Sequence, residues 1–374
     1  MSGHDTGETV KALYAGTLPP GQVAQAMMTA ERLFPTRQVA NGPELRPLPE
    51  GPALPPLRMC CGGRTYDLVD YLALNRVTGL LILHQGGIRY EGYELGLQPM
   101  TRHASFSLAK SVCSTLIGCA LQDRSLTSLD QKLGHWLAPL RGSAYADVSL
   151  RSLLAMRTGI AWDETYTRPD SDRRRFLEVQ LTRSPGSLIR FMAGLAARPT
   201  GEQTFNYSTG ETFLVGAVLE AVTGQPLANY LSDRLWQPLG MQSPATWWVE
   251  SPDGAGMGGS GLSATLRDYG RFAQFVLEDG VINGRRVVPE HWFADATRTM
   301  PDKAPYGYQW WLPQSAHPRH AGAFMGMGIF GQRLYLKPKQ NLAIVVLAAR
   351  SKPSDSHVIP DEDFFGAVAE ALAG

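Results

Sequence analysis

The hydrophobic pattern divides the chain into strand-like ends and a helical middle. Runs rich in aliphatic, β-branched and aromatic residues predict strands at 79–84, 88–93, 307–312, 332–336 and 342–347. A glycine turn joins the first two runs and predicts a hairpin. Apolar positions at helical spacing predict helices at 107–122, 148–156, 172–196, 210–223, 263–278 and 362–373. A glycine-rich stretch at 254–261 predicts a linker.

These elements predict an α/β (α+β) fold. An antiparallel sheet flanked by helices would be built from both termini, with a mostly helical domain inserted between its parts. We expect residues 76–105 and 255–374 to form the sheet domain and residues 106–254 to form the helical domain. Residues 1–75 hold clusters of proline and glycine around one helical patch, 23–34, and predict an N-terminal arm packed on the core.

Composition narrows the class of partner. Among 374 residues, 35 Lys and Arg face 34 Asp and Glu, so the net charge of +1 gives no electrostatic basis for binding nucleic acid or an anionic membrane. The four cysteines do not suggest a disulfide framework, and no CxxC or HExxH pattern supports a metal site. Without a signal-like start or a membrane-length apolar run, we expect a cytoplasmic protein that needs no cofactor and acts on a small molecule. The oligomeric state is left open by the sequence.

A serine and a lysine three residues apart, Ser107 and Lys110, open the predicted helix 107–122. Helical spacing places both on one face. A lysine held in an apolar interior has its ammonium form disfavoured, so it can accept the serine proton and activate the hydroxyl as a nucleophile. The unpaired N–H groups of the helix start would favour negative charge there. The same pattern also fits an N-cap serine followed by a solvated lysine. Catalytic partners elsewhere in the sequence are needed to choose between the two interpretations.

Two further segments could supply such partners. Tyr207 precedes the predicted helix 210–223, where a nearby lysine ammonium could lower its pKa and let it shuttle a proton. A core tyrosine with a locally satisfied hydroxyl is the alternative. Glycines within 326–332 run into the late strand and would let backbone N–H groups approach a ligand, as an oxyanion hole requires. A bulge or turn would use the same glycines.

With these segments in this order, the chain resembles the superfamily of serine β-lactamases, penicillin-binding proteins and esterases, in its class C-like branch. Within that branch it is most similar to the 6-aminohexanoate-dimer hydrolases and related carboxylesterases. The resemblance runs from about residue 76 to the C-terminus and rests on residues 106–111, 205–208, 258–268 and 326–338. It implies a β-lactamase-like fold and a metal-independent serine hydrolase that cleaves esters or linear amides through an acyl-enzyme.

The resemblance also implies roles for individual residues. Ser107 would be the acylated nucleophile, Lys110 its base, and Tyr207 the group that passes a proton to the leaving amine or alcohol. The oxyanion would be held by the backbone N–H groups of Ser107 and Ile329. Tyr166 falls where the dimer hydrolases place a substrate-contacting tyrosine on a mobile loop, although an exposed loop tyrosine needs no function.

Two further positions are assigned to substrate binding, and several departures from the family pattern bear on the substrate. The assigned positions are Gly328 and His320; the latter could instead be a satisfied surface histidine. Penicillin-recognising members carry Tyr-x-Asn, whereas Thr209 stands at the third position here. Their Lys-Thr-Gly motif is absent, and its nearest counterpart begins at His320. Arg319 or Arg333 could replace the missing lysine as an anchor for a β-lactam carboxylate.

Three alternatives complete the sequence hypotheses. A β-lactamase or DD-peptidase is disfavoured by the missing asparagine and the missing Lys-Thr-Gly motif. A catalytically silent binding protein on the same fold is the non-enzyme alternative, and loss of Ser107, Lys110 or Tyr207 would be its sign, yet all three are present. An α/β-hydrolase would need a Gly-x-Ser-x-Gly elbow between a strand and a helix, and no such pentapeptide occurs.

Overall fold

The computed structural model describes residues 3–373 as a mixture of helices and antiparallel strands. The α-helices are α1 (Gly3–Ala15), α2 (Pro20–Met28), α3 (Leu68–Leu74), α4 (Ala109–Gln122), α5 (Leu133–Trp136), α6 (Leu150–Leu154), α7 (Asp172–Leu181), α8 (Ser187–Ala193), α9 (Thr209–Thr223), α10 (Leu227–Leu231), α11 (Leu266–Leu277), α12 (Trp292–Ala296) and α13 (Asp361–Ala371). The strands are β1 (Thr36–Val39), β2 (Met59–Cys61), β3 (Arg64–Tyr66), β4 (Val77–His84), β5 (Gly87–Tyr93), β6 (His103–Ala104), β7 (Ala245–Trp248), β8 (Leu262–Ala264), β9 (Val281–Ile282), β10 (Arg285–Arg286), β11 (Phe324–Gly328), β12 (Gln332–Lys337) and β13 (Leu342–Ala348).

The central sheet joins the two parts of the chain. Its strand order is β11–β12–β13–β4–β5, and every neighbouring pair is antiparallel. Side chains alternate between its faces, as a pleated strand requires. Ile344 and Val346 of β13 pack in the apolar cluster that contains Phe364 of α13, whereas Val345 and Leu347 pack in the cluster that contains α4 and α11. The predicted mixed fold, with its sheet built from both termini, is confirmed.

Helix α4 lies at the centre of the helical region and is buried along almost its whole length. It contacts α9 on one side and β11 on the other. Two of its serine hydroxyls donate to carbonyl oxygens of the 307–312 segment: Ser111 Oγ to Gln309 O at 2.8 Å and Ser114 Oγ to Tyr308 O at 2.7 Å. These bonds satisfy buried polar groups and fix α4 against its surroundings.

The N-terminal segment is more helical than predicted. The expected patch at 23–34 corresponds to α2, which starts at Pro20, where the fixed φ of proline suits the first helical turn. Helix α1 was not expected. Its Val10, Leu13 and Tyr14 are buried in the main core, so the segment packs closely on the rest of the chain. The predicted domain boundaries stay a prediction.

Three local predictions are wrong for steric reasons. The helix expected at 172–196 is divided into α7 and α8 at Gly186, which adopts a left-handed φ of 70°. The strand expected at 307–312 is irregular, because Gln309 adopts a left-handed φ of 63°, which interrupts an extended strand. The stretch 254–261 is largely buried rather than a linker: a Cβ on Gly259 would lie 2.6 Å from Thr209 O, so this backbone packs directly on α9.

Membrane insertion gains no support from the helices. Within residues 3–373, none combines the length and the apolar character that a crossing needs.

Candidate active site

Ser107 lies in the 3₁₀ turn Phe106–Leu108, which continues directly into α4. The preceding residue, Phe106, has a left-handed φ of 46°, a conformation that costs a residue with a side chain roughly 1–3 kcal/mol. Its ring is held by Trp248 at 5.9 Å and by Phe330 at 5.5 Å between centroids. Aromatic packing therefore holds a strained turn at the start of α4, with Ser107 at its centre.

Lys110 is buried and faces three oxygen atoms. Its Nζ lies 3.0 Å from Ser107 Oγ, 3.0 Å from Thr209 Oγ1 and 2.7 Å from the carbonyl oxygen of Gly259. Burial lowers the pKa of Lys110 from 10.5 to about 7, while Glu164 acts to raise it and Arg173 to lower it further. Near pH 7, Lys110 is therefore a neutral amine in a large fraction of the molecules, and that amine can accept the Ser107 proton.

Tyr207 lies just before α9, beside the same two groups. Lys110 Nζ is 5.0 Å from the centroid of its ring, and a hydrogen-bonding interaction with Ser107 acts on its hydroxyl. Burial nevertheless raises the pKa of Tyr207 well above its usual value. The hypothesis that a lysine ammonium lowers this pKa is therefore wrong. A phenol that keeps its proton can still donate that proton to a leaving group.

The two backbone N–H groups predicted to hold an oxyanion both lie in the first positions of helical turns. Ser107 is second in its 3₁₀ turn, and Ile329 is first in the turn Ile329–Gly331, positions where an N–H has no intrahelical acceptor. Neither N–H has another protein acceptor within the described part of the chain. A Cβ on Gly328 would lie 2.2 Å from Ser105 O, so this glycine lets the end of β11 lie directly against the Ser107 turn.

Tyr166 is partly buried rather than exposed. Its hydroxyl donates to Glu164 Oε1 at 3.0 Å, and its ring lies 6.3 Å from the ring of Tyr14. The guanidinium of Arg173 stacks on the other aromatic ring of this group, 4.5 Å from the Tyr14 centroid. The Tyr14 ring also lies 6.2 Å from the ring of Phe106, so helix α1 contributes a side chain beside the Ser107 turn, which the sequence pattern does not predict.

Glu164 and Thr209 form a second set of contacts that the sequence did not reveal. The Glu164 carboxylate accepts hydrogen bonds from Thr209 N at 2.8 Å, from the Thr209 hydroxyl, from Trp162 Nε1 at 2.6 Å and from the Tyr166 hydroxyl. Arg173 Nε lies 4.0 Å from it. The only sequence signal was an acidic residue two positions before Tyr166, and nothing marked it as buried. In the sequence, Thr209 is distinguished only by standing where penicillin-recognising members carry asparagine.

The substrate-binding candidate His320 and the two possible anchors for a β-lactam carboxylate, Arg319 and Arg333, already have protein partners. His320 is buried, not a surface histidine, and its Nδ1 lies 3.1 Å from Tyr335 Oη. It precedes β11, at the opposite end of that strand from Ile329. Arg319 pairs with Asp363 at 2.9 Å, and Arg333 pairs with Asp361 at 2.8 Å, so both guanidinium groups already have carboxylate partners.

Among the described side chains, those of residues 6–373, no group of three or more His, Cys, Asp or Glu residues is placed to hold a metal ion.

Comparison with known proteins agrees with this architecture. The beta-lactamase family model matches residues 75–365. A 6-aminohexanoate-dimer hydrolase from Paenarthrobacter ureafaciens is 30% identical over 346 residues, which cover 87% of this chain and 85% of that protein. A solved structure from Bacillus anthracis, assigned to the 6-aminohexanoate-dimer hydrolases, superposes with a TM-score of 0.82 at 21% identity and covers 93% of this chain and 94% of its own. A class C β-lactamase from Rhodobacter sphaeroides superposes with a TM-score of 0.55 at 19% identity, covering 79% and 94%. The predicted resemblance and the β-lactamase-like fold are confirmed.

Proposed function

The chain belongs to the β-lactamase family, and we propose that it is a serine hydrolase that cleaves carboxylic esters or linear amides through an acyl-enzyme on Ser107. The observation that carries this proposal is the contact between Ser107 Oγ and a buried lysine. Lys110 Nζ lies 3.0 Å from that oxygen, and its pKa is lowered to about 7. A weak nucleophile is thereby paired with a base that is partly neutral at physiological pH.

In the proposed acylation step, Lys110 takes the proton of Ser107 Oγ as that oxygen forms a bond to the carbonyl carbon. The N–H groups of Ser107 and Ile329 would stabilise the oxyanion. When the tetrahedral intermediate collapses, the bond to the leaving oxygen or nitrogen breaks and Tyr207 supplies its proton, which Lys110 replaces. Water then attacks the acyl carbon with the same groups acting in reverse, releasing the carboxylic acid and free Ser107.

The contacts around the site favour esters and linear amides over β-lactams. Thr209 replaces the amide-bearing asparagine and is already bonded to Lys110 and Glu164. Arg319 and Arg333 are held in ion pairs, so neither is free to anchor the carboxylate of a β-lactam. The similarity to a 6-aminohexanoate-dimer hydrolase supports a linear amide as one substrate class. The proposed partner is thus a small-molecule ester or amide.

A substrate panel tests this proposal. Purified protein and Ser107→Ala are compared on p-nitrophenyl acetate, the linear aminohexanoate dimer and a chromogenic cephalosporin. We expect turnover of the ester or the linear amide that is lost in Ser107→Ala, while its circular dichroism spectrum is retained. Faster hydrolysis of the cephalosporin would favour the β-lactamase alternative, and absence of turnover on every substrate would favour a silent binding protein.

A further inference from the structure

The three oxygens around Lys110 Nζ differ in what they can do. An ammonium has three N–H groups and can donate to all three oxygens, but a neutral amine has two N–H groups and one lone pair. The carbonyl oxygen of Gly259, at 2.7 Å, can only accept. The hydroxyls of Ser107 and Thr209, each at 3.0 Å, could in principle either accept or donate. The lone pair of the neutral amine points at whichever hydroxyl donates to it.

The contact with Glu164 fixes the direction in which the Thr209 hydroxyl donates its proton. The Thr209 hydroxyl donates its single proton to Glu164 Oε1, because a carboxylate can only accept. Glu164 is itself fixed by the backbone N–H of Thr209 at 2.8 Å and by Trp162 Nε1 at 2.6 Å. Both of its oxygens therefore face donors. The Thr209 oxygen is left with acceptor capacity alone, as the Gly259 carbonyl is.

We propose that Thr209 and Glu164 are positioning residues that direct the lone pair of neutral Lys110 at Ser107 Oγ. Two acceptors take both N–H groups of the amine, so only Ser107 can reverse its bond and donate. The inference rests on the proposed acyl-enzyme function and deepens it. It gives Thr209 a role of its own: at the position where penicillin-recognising members carry asparagine, a hydroxyl oriented by a carboxylate fixes the base.

Thr209→Val removes the oxygen and keeps the shape of the side chain. The neutral amine then has one fixed acceptor and can turn an N–H toward Ser107, so we expect acylation to slow by about tenfold to a hundredfold, within the range of general-base effects. The ammonium also loses an acceptor, so the acid limb of the pH profile should move to lower pH. The other titratable or charged groups that act on Lys110 or lie over it are Glu164, Arg173, Tyr207 and Cys113, and this variant leaves all four in place.

The experiment measures the pre-steady-state burst of p-nitrophenyl acetate between pH 5 and pH 9. Thr209→Ser, which keeps the hydroxyl, should restore both the burst rate and the acid limb. Thr212→Val is the matched control: this buried threonine lies one turn further along α9 and donates to Gln309 Oε1 at 2.7 Å. We expect it to match the wild type in rate and pH profile, with melting temperatures measured for every variant.

Glu164→Gln is the second variant, should Thr209→Val fail to fold. It should slow the burst and move the acid limb to lower pH, because the lost charge acts to raise the pKa of Lys110. A wild-type burst rate and acid limb in whichever variant folds would overturn the inference, and so would failure of Thr209→Ser to restore them. If the wild-type protein shows no burst at all, the proposed function fails instead, so the two failures are distinguishable.

Discussion

Lowering the pH should protonate Lys110 and remove the proposed base, over a pH range that is set by the pKa of this lysine. Moving the pKa of Lys110 from 10.5 to about 7 corresponds to about 5 kcal/mol against the ammonium, and burial is its largest cause. The neutral form should dominate above pH 8 and fall to about one per cent at pH 5. We therefore expect kcat/KM to rise about 90-fold between pH 5 and pH 8 and then to level off.

The assay is the pH dependence of kcat/KM with p-nitrophenyl acetate, corrected for the spontaneous hydrolysis measured with Ser107→Ala. Circular dichroism at pH 5 checks that the fold is intact. A lysine that kept its ordinary pKa would give about a thousandfold rise over the same interval, with no plateau above pH 8. Either that continued rise or a flat profile would refute the assignment of Lys110 as a base whose pKa is lowered by burial.

Three further predictions concern individual side chains. Tyr207→Phe should reduce kcat on the linear aminohexanoate dimer at least tenfold more than on p-nitrophenyl acetate, because an amine leaving group needs a proton and nitrophenolate does not. Glu211 is buried with one carboxylate oxygen unpaired, and burial raises its pKa to about 8. The folded state thus holds the Glu211 proton more tightly than the unfolded state, so this group's contribution to stability falls as the pH rises from about 4.5 to 8. Glu211→Gln should remove that loss. At pH 9 its free energy of unfolding, measured in urea, should exceed that of the wild type by up to about 5 kcal/mol. Gly328→Ala should lower both the melting temperature and turnover, because its Cβ would lie 2.2 Å from the carbonyl oxygen of Ser105.

Each of these predictions has an outcome that contradicts it. Equal losses on amide and ester would argue against Tyr207 as the proton donor. Urea midpoints for Glu211→Gln that follow the wild type at both pH 6 and pH 9 would show that this carboxyl is not held protonated. Wild-type melting and activity in Gly328→Ala would mean that the Ser107 turn does not depend on close approach of β11. A Gly21→Ala change, at a position with open space around it and no left-handed φ, provides the control.

The parts that the sequence predicted depend on local pattern. The strands β4, β5, β12 and β13 followed from apolar runs, and the contact of Ser107 with Lys110 followed from helical spacing of three residues. Both the strands and this contact depend on residues close together in the chain, so periodicity was sufficient to predict them.

The parts that the sequence missed depend on distant contacts. Gly259 and Thr209 reach Lys110 from 149 and 99 residues away, and Glu164 reaches it through Thr209. Tyr14 reaches Tyr166 from α1, a helix that the sequence pattern did not predict. The polar character of these residues was visible, but only packing of α9, the 254–261 stretch and α1 around α4 gives them partners.

Covalent labelling tests directly whether Ser107 is the nucleophile. The protein is treated with a fluorophosphonate probe and its intact mass is measured, followed by peptide mapping. We expect one adduct per chain, located on Ser107, with none on Ser107→Ala and labelling that follows the same acid limb as turnover. An adduct on another residue, or equal labelling of Ser107→Ala, would contradict this expectation.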